Sequence, residues 1–256
     1  MPNPIFLAWG PITIKWYGVM VVIGMILGVI LACAEAKRQE QNADHYFNMC
    51  LMVLVVGVLG ARAYYVLFNW GYYGANLMKI LAFREGGLAI HGGLIAGGLT
   101  FVLSGAHYRI GGLTALDIAA PSAALGQAIG RWGNFFNQEA YGYAVSRDVI
   151  PWAMFIDGAY RHPTFLYESI WDLLVFLFLL WHRRRRNLVN GDVFFMYTIL
   201  YSAGRVVIES FRTDSLMLGS WRMAQVISVV AMVLAILAMW ISHRGKNQGG
   251  KIINVR

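Results

Sequence analysis

Two stretches of the chain carry side chains whose types and spacing suit a phosphate ester. GRWGNFFNQEAYG, residues 130–142, packs Arg131, Asn134, Asn137, Gln138 and Glu139 into nine positions, directly after the eighteen mostly apolar residues Leu113 to Gly130. YSAGRVVIESFR, residues 201–212, sets Tyr201, Arg205, Glu209 and Arg212 at steps of four, four and three, which is one stripe on a helix. Arginine matches phosphate oxygens best, because its donors form a fixed fork. Arg131 and Arg205, with Asn134 and Gln138 as neutral donors, describe a pocket for a phosphodiester headgroup, and Glu139 and Glu209 are placed to orient the arginines. His91 adds a residue type that takes a proton near neutrality. A phosphate clamp with a base beside it points to transfer chemistry.

Every one of these residues also has a plainer use. Arg205 and Glu209 form a helix-internal ion pair at that spacing, and a lone histidine at a helix start is more often an interfacial residue than a base. Tyr17 and Tyr201 fit an aromatic belt, as Trp16 does, and Asn134 suits a helix end. Co-location shifts the balance. Tyr17, Arg62, His91, Arg131, Asn134, Glu139, His162, Glu168 and the 201–212 stripe all project to one side of the apolar segments, whereas Asp117 and Asp192 fall on the other. An ionisable group inside a membrane helix is penalised by at least ~2.5 kcal/mol unless it faces protein or water. A convergent set therefore implies a polar cavity between helices, near headgroup depth.

The elements that must position these residues are membrane helices. The chain is 58% hydrophobic and 13% charged, and apolar runs of roughly 20 residues, enough to cross a bilayer, recur near 17–36, 46–68, 88–107, 113–130, 164–182, 192–211 and 223–242. The fold class expected is all-α: one polytopic membrane domain over 1–256 with about seven transmembrane helices. Six stays open, since the 113–130 run is short and holds Pro121. Lys37, Arg38, Arg109, Arg183 to Arg186, Arg244, Lys246, Lys251 and Arg256 fall on the side away from the N-terminus, eleven basic residues against eight. By the positive-inside rule that side is cytoplasmic and the N-terminus lies outside. The RRRR run serves topology and anionic-lipid contact, and the net charge of +8 calls for no nucleic-acid partner.

Two outer segments interrupt the helices. Residues 69–87 mix aromatics with an apolar LMKIL patch, as a short interfacial helix would, and 143–163 hold an Asp157–Gly158 turn signal that predicts a hairpin in a small outer cap. The Ala32-Cys33-Ala34 triplet does not mark a signal peptide, because the apolar stretch is too long and Lys37–Arg38 flank it from behind. Cys33 and Cys50 have no disulfide or ligand spacing, Gly57, Gly60, Gly93 and Gly97 suit close helix packing, and the tail after Ser242 reads as loose.

HGGLIAGG, GRWGNFFNQEAYG, RHPTFLYES, GRVVIESFR and the early KWYG together resemble the prolipoprotein diacylglyceryl transferases of bacteria, in order from Trp16 to Arg212. The resemblance implies seven transmembrane helices, an outward N-terminus, a cytoplasmic C-terminus and a place in the bacterial cytoplasmic membrane. It also implies transfer of the diacylglyceryl group of phosphatidylglycerol to the lipobox cysteine of an exported prolipoprotein, forming a thioether and releasing glycerol phosphate. Carried over by motif, it gives essential roles to Tyr17, Asn134 and Gly142, and important ones to His91, Arg131, Glu139, Tyr201, Arg205 and Glu209. Neither cofactor nor metal is implied, and the partners are the two substrates and membrane lipids. Some members have a longer outer segment before the His-Pro motif, where this chain has only residues 143–161. On the residues alone, a lipid phosphatase or an outward-facing transporter of an organic phosphate would want the same arginines.

Overall fold

The computed structural model describes residues 3–10, 12–83, 86–156 and 158–246. Among these, seven helices have 18 residues or more: α1 (Trp16–Arg38), α2 (Ala43–Phe68), α4 (Ile90–His107), α5 (Gly112–Asn137), α6 (Thr164–His182), α7 (Asp192–Glu209) and α8 (Met223–Lys246), with the short α3 (Trp70–Tyr73) after α2. Four of them, α1, α2, α6 and α8, are long and apolar enough to cross a membrane. Their outward residues agree, since Val22, Ile26, Ile30, Leu174 and Leu177 are more than half exposed, as apolar residues facing lipid would be. This is a membrane protein.

The chain divides into two compact units, Met1–Leu31 with Asp117–Arg256, and Ala32–Leu116. In the second unit α2 and α4 meet through glycine. A side chain at Gly60 would collide with Gly92 and Ala96, one at Gly57 would meet the Gly93 carbonyl at 3.6 Å, and one at Gly97 would meet Val53 at 3.4 Å. Close packing is thus what these glycines do.

In the first unit Ala120 and Ala124 of α5, Val175 and Leu179 of α6 and Val193 of α7 form a buried core. Hydrogen bonds cross between the helices: Trp132 Nε1 donates to Ser169 Oγ at 3.1 Å, Ser169 Oγ to the Ala128 carbonyl at 2.8 Å, Trp171 Nε1 to the Leu200 carbonyl at 2.9 Å, and Tyr197 Oη to Gln127 Oε1 at 2.8 Å. At the far end of α7, Asp117 accepts the backbone N–H groups of Gly191 (2.6 Å) and Phe194 (2.9 Å), so a carboxylate from α5 caps α7 at the positive end of its dipole. Asp192 and His243 pair beside it at 2.9 Å.

Several sequence expectations change. The 113–130 run is part of a 26-residue helix that holds Pro121 and continues to Asn137, so GRWGNFFN is helical rather than the segment after a helix. Proline is tolerated there because neighbouring helices can satisfy the freed backbone groups. The 192–211 helix stops at Glu209, which leaves Arg212 beyond it, and α8 runs past Ser242 to Lys246; the tail from 247 lies outside the described residues. Among the described residues of 69–87 there are two short turns, α3 and a 3-10 turn Leu77–Leu81, in place of one helix. Trp70, Tyr72, Leu77, Met78 and Leu81 are exposed on them.

Among the described residues, three two-stranded pairs sit at helix junctions: β1 (Ile5–Trp9) with β2 (Ile12–Lys15), β3 (Met154–Ile156) with β4 (Ala159–Arg161), and β5 (Met217–Leu218) with β6 (Trp221–Arg222). The β3–β4 pair is the hairpin read at Asp157–Gly158; Asp157 lies outside the described residues, and Gly158 takes a φ of +75°.

Candidate active site

α6 carries Glu168 and Asp172 four residues apart, hence on one face, and both are buried at 4% and 3% exposure. Glu168 is the hub. Its Oε2 lies 2.6 Å from Arg131 Nε of α5, its Oε1 pairs with Arg205 Nη1 of α7, and Arg212 Nη1 stands 3.8 Å away. Arg205 Nη2 meets the buried Glu209 at 2.8 Å, one helical turn on. Arg212 forks onto Asp214 at 2.9 and 2.8 Å. Burial pushes the Asp214 carboxyl up, and that fork outweighs it, holding the group below the usual carboxylate range.

Arg131, Glu168, Trp171, Asp172, Tyr201 and Arg205 surround a cavity of ≈ 10 Å³, room for about one water. Desolvating such charges costs several kcal/mol per ion, and only close mutual contact repays it. The arrangement is a buried cluster in which one carboxylate pairs with two guanidinium groups.

Beside it, α5 ends on a left-handed turn. Gln138 and Ala140 adopt φ of 55° and 57°, and the Glu139 N–H returns to the Asn134 carbonyl at 3.1 Å. Glu139 accepts from the amides of Asn134 (2.9 Å) and Asn137 (3.3 Å). The steering of the arginines expected of Glu139 therefore falls to Glu168 and Glu209, because Glu139 lies past the helix end while Arg131 points to α6. Gly142 donates its N–H to the His162 carbonyl at 2.9 Å, and a Cβ there would meet His162 Cβ and the Phe211 carbonyl at 2.7 Å. Its role is space. Tyr17, 40% exposed at the start of α1, lays its ring on Gly133, where a Cβ would come within 2.6 Å. Trp16 stacks on Phe136 with centroids 4.8 Å apart.

An apolar groove of ≈ 490 Å³ runs between α6 and α7, with Ile170, Leu174, Val207 and Phe211 among its walls; Trp171 and Ile208 line both it and the small cavity. His162 closes one end, its Nδ1 3.2 Å from Tyr167 Oη, which also accepts from Trp152 Nε1 at 3.1 Å. Burial pushes the His162 imidazole below its ordinary value.

Of the residues read from sequence, Arg131, Tyr201, Arg205 and Glu209 come together, Asn134 joins Glu139, and Gln138 and Gly142 shape the adjoining turn. His91 belongs to the second unit, exposed as the second residue of α4, with its ring 6.2 Å from that of Tyr64. In the sequence Glu168 stands out only as one of the polar residues on one side of the apolar segments, and Asp172 does not stand out at all. Two acids four apart inside TFLYESIWDLLVFLFLL carried the signal.

The family model for prolipoprotein diacylglyceryl transferase matches residues 4–241. A phosphatidylglycerol–prolipoprotein diacylglyceryl transferase of Geobacillus kaustophilus is 51% identical over 256 residues, covering 94% of this chain and 93% of its own. Enzymes of the same name from Streptococcus equi subsp. zooepidemicus and Streptococcus pyogenes serotype M5 are 46% and 44% identical over 252 residues, each covering 96% of this chain and 97% of its own. With a model matched over nearly its whole length, the chain belongs to the prolipoprotein diacylglyceryl transferase family.

Proposed function

We propose that the ion cluster of α5, α6 and α7 is the phosphate-holding centre of an enzyme that moves the diacylglyceryl group of phosphatidylglycerol onto the lipobox cysteine of a prolipoprotein. One observation carries the assignment of the centre: the Glu168 carboxylate lies between two guanidinium groups, on Arg131 Nε and Arg205 Nη1. A phosphodiester offers the same paired anionic oxygens, so the phosphate is read as taking over the terminal donors of Arg131 and Arg205 as the cavity opens. Asn134 and Gln138, on the adjoining turn, are neutral donors for the headgroup. Tyr201 lines the cavity wall, and Tyr17 braces α5 at Gly133.

The reaction joins the thiol sulfur to the diacylglyceryl carbon that bears the phosphate. The carbon–oxygen bond breaks, its electron pair stays on the phosphate oxygen, and glycerol phosphate departs. Negative charge grows on that oxygen, where fixed guanidinium donors in a site shielded from water are worth most. A thiol of pKa about 8.5 is a poor nucleophile until deprotonated; His91 is the proposed acceptor of that proton. The ≈ 490 Å³ apolar groove beside the cavity suits the hydrocarbon part of a lipid substrate.

In the same reading all seven long helices span the bacterial cytoplasmic membrane, with the N-terminus outside and the C-terminus in the cytoplasm. Residues 143–163 form a small outer cap and 69–87 an interfacial segment.

The test is mass spectrometry of a lipobox peptide incubated with purified protein and phosphatidylglycerol in detergent, beside an Asn134→Ala control. A diacylglyceryl mass on the cysteine, absent in the control, supports the reading. Free phosphate without an adduct would mean phosphatase chemistry, and glycerol phosphate carried across a vesicle would mean transport.

A further inference from the structure

We infer that Arg62 is a positioning residue for His91, fastening the segment that leads into α4 onto one turn of α2. The inference rests on the reading of His91 as proton acceptor, and its own observations lie wholly within the second unit. Arg62 is 3% exposed. Its Nε donates to the Ile80 carbonyl at 2.8 Å, Nη1 to those of Gly86 (2.5 Å) and Gly87 (3.0 Å), and Nη2 to those of Lys79 (2.6 Å) and Ala82 (3.4 Å). A guanidinium has five N–H donors in a rigid fork, and here one side chain gathers five carbonyls from residues 79–87. The rings of Tyr73 and Phe83 cover it, with centroids 5.2 and 5.6 Å from Cζ.

The backbone is shaped to admit that fork. Gly86 and Gly87 take φ of +85° and +75°, and a Cβ at Gly87 would sit 2.6 Å from Arg62 Nη1 and 2.7 Å from the Tyr65 ring. Two residues later the Ala89 N–H bonds the Ala61 carbonyl at 3.0 Å, next to Arg62 itself. Gly92 then seats against Gly60 and Tyr64 so closely that any side chain there would collide. His91 lies between these two fixed points, with Tyr64 as its ring neighbour at 6.2 Å. Lysine at position 62 would bring a single ammonium with three donors, which does not span both the 79–82 and the 86–87 carbonyls.

The experiment compares Arg62→Lys and Gly87→Ala with the unaltered full chain in detergent, using proteins labelled at the six histidine rings and assigning the His91 signal by its loss in His91→Gln. The expected result is a displaced or broadened His91 ring signal in both variants with the other histidine signals in place. It should come with a fall in kcat of at least about tenfold and little change in KM for phosphatidylglycerol. An unmoved His91 signal in both variants overturns the inference, whatever the turnover. A displaced His91 with unchanged kcat upholds Arg62 as its fastener and removes His91 from the chemistry. Gly87→Ala keeps the test decisive if Arg62→Lys does not fold.

Discussion

Glu168, near the start of α6, and Glu139, just past the end of α5, are the same residue type, and their surroundings give them different weight. Glu168 is buried against Arg131 and Arg205, whereas Glu139 is exposed and accepts from two amides. Removing one member of a buried ion cluster leaves its partners uncompensated at roughly 3–5 kcal/mol. Glu168→Ala should therefore unfold in detergent with a stability loss of that order. Glu139→Ala should lose about 1 kcal/mol or less, the scale of ordinary hydrogen bonds, and equal losses in the two variants would contradict the buried-hub geometry. Sequence made the arginines visible because each stands in an apolar segment where its presence is costly. It hid their pairing, since Glu168 meets partners on two other helices, and spacing along one helix reports only pairs such as Arg205–Glu209. Glu139 misled for the same reason: proximity in sequence to Arg131 is not proximity of the side chains.

At the scale of elements, two contacts set how the site helices meet. Gly204 of α7 lies against the Trp171 indole, leaving no room for a methyl group, and the same indole donates to Leu200. Gly204→Ala should cost about 1–3 kcal/mol by overpacking and lower transfer activity, read by thermal unfolding and by turnover together. Asp117→Ala should remove the cap of α7 for about 1 kcal/mol, with transfer chemistry intact in the folded fraction. Helix existence was legible from hydropathy and the ends were not. α5 runs on to Asn137 through a polar stretch because the packing of Trp132 and Ser169 overrides composition. The β3–β4 hairpin announced itself by Asp157–Gly158. The β1–β2 pair carried a comparable Gly10–Pro11 turn signal in IFLAWGPITIK, overlooked beside the stronger helix that follows.

For the whole molecule, the asymmetry of basic residues predicts an orientation that labelling can test. In a background with Cys33 and Cys50 replaced, a membrane-impermeant thiol reagent should label Ser146→Cys in intact cells and spare Asn187→Cys, which lies beside the RRRR run. The reverse pattern would turn the molecule over. Three of the seven long helices, α4, α5 and α7, are absent from the four that qualify as spans on length and hydropathy. Of those three, α5 and α7 carry Arg131 and Arg205, whereas Glu168, which pairs with both, stands on α6, a helix that does qualify. The central claim, that the guanidinium forks of this cluster hold the lipid phosphate, meets its most direct test in Arg131→Lys. That variant keeps the positive charge beside Glu168 and loses the fork. Measured as kcat/KM for diacylglyceryl transfer from phosphatidylglycerol to a lipobox peptide, with folding verified, it should fall by about 100-fold, a loss of roughly 2.7 kcal/mol in transition-state stabilisation. Turnover within about twofold of the unaltered protein would show that a point charge suffices and that the cluster does not bind phosphate through its forks.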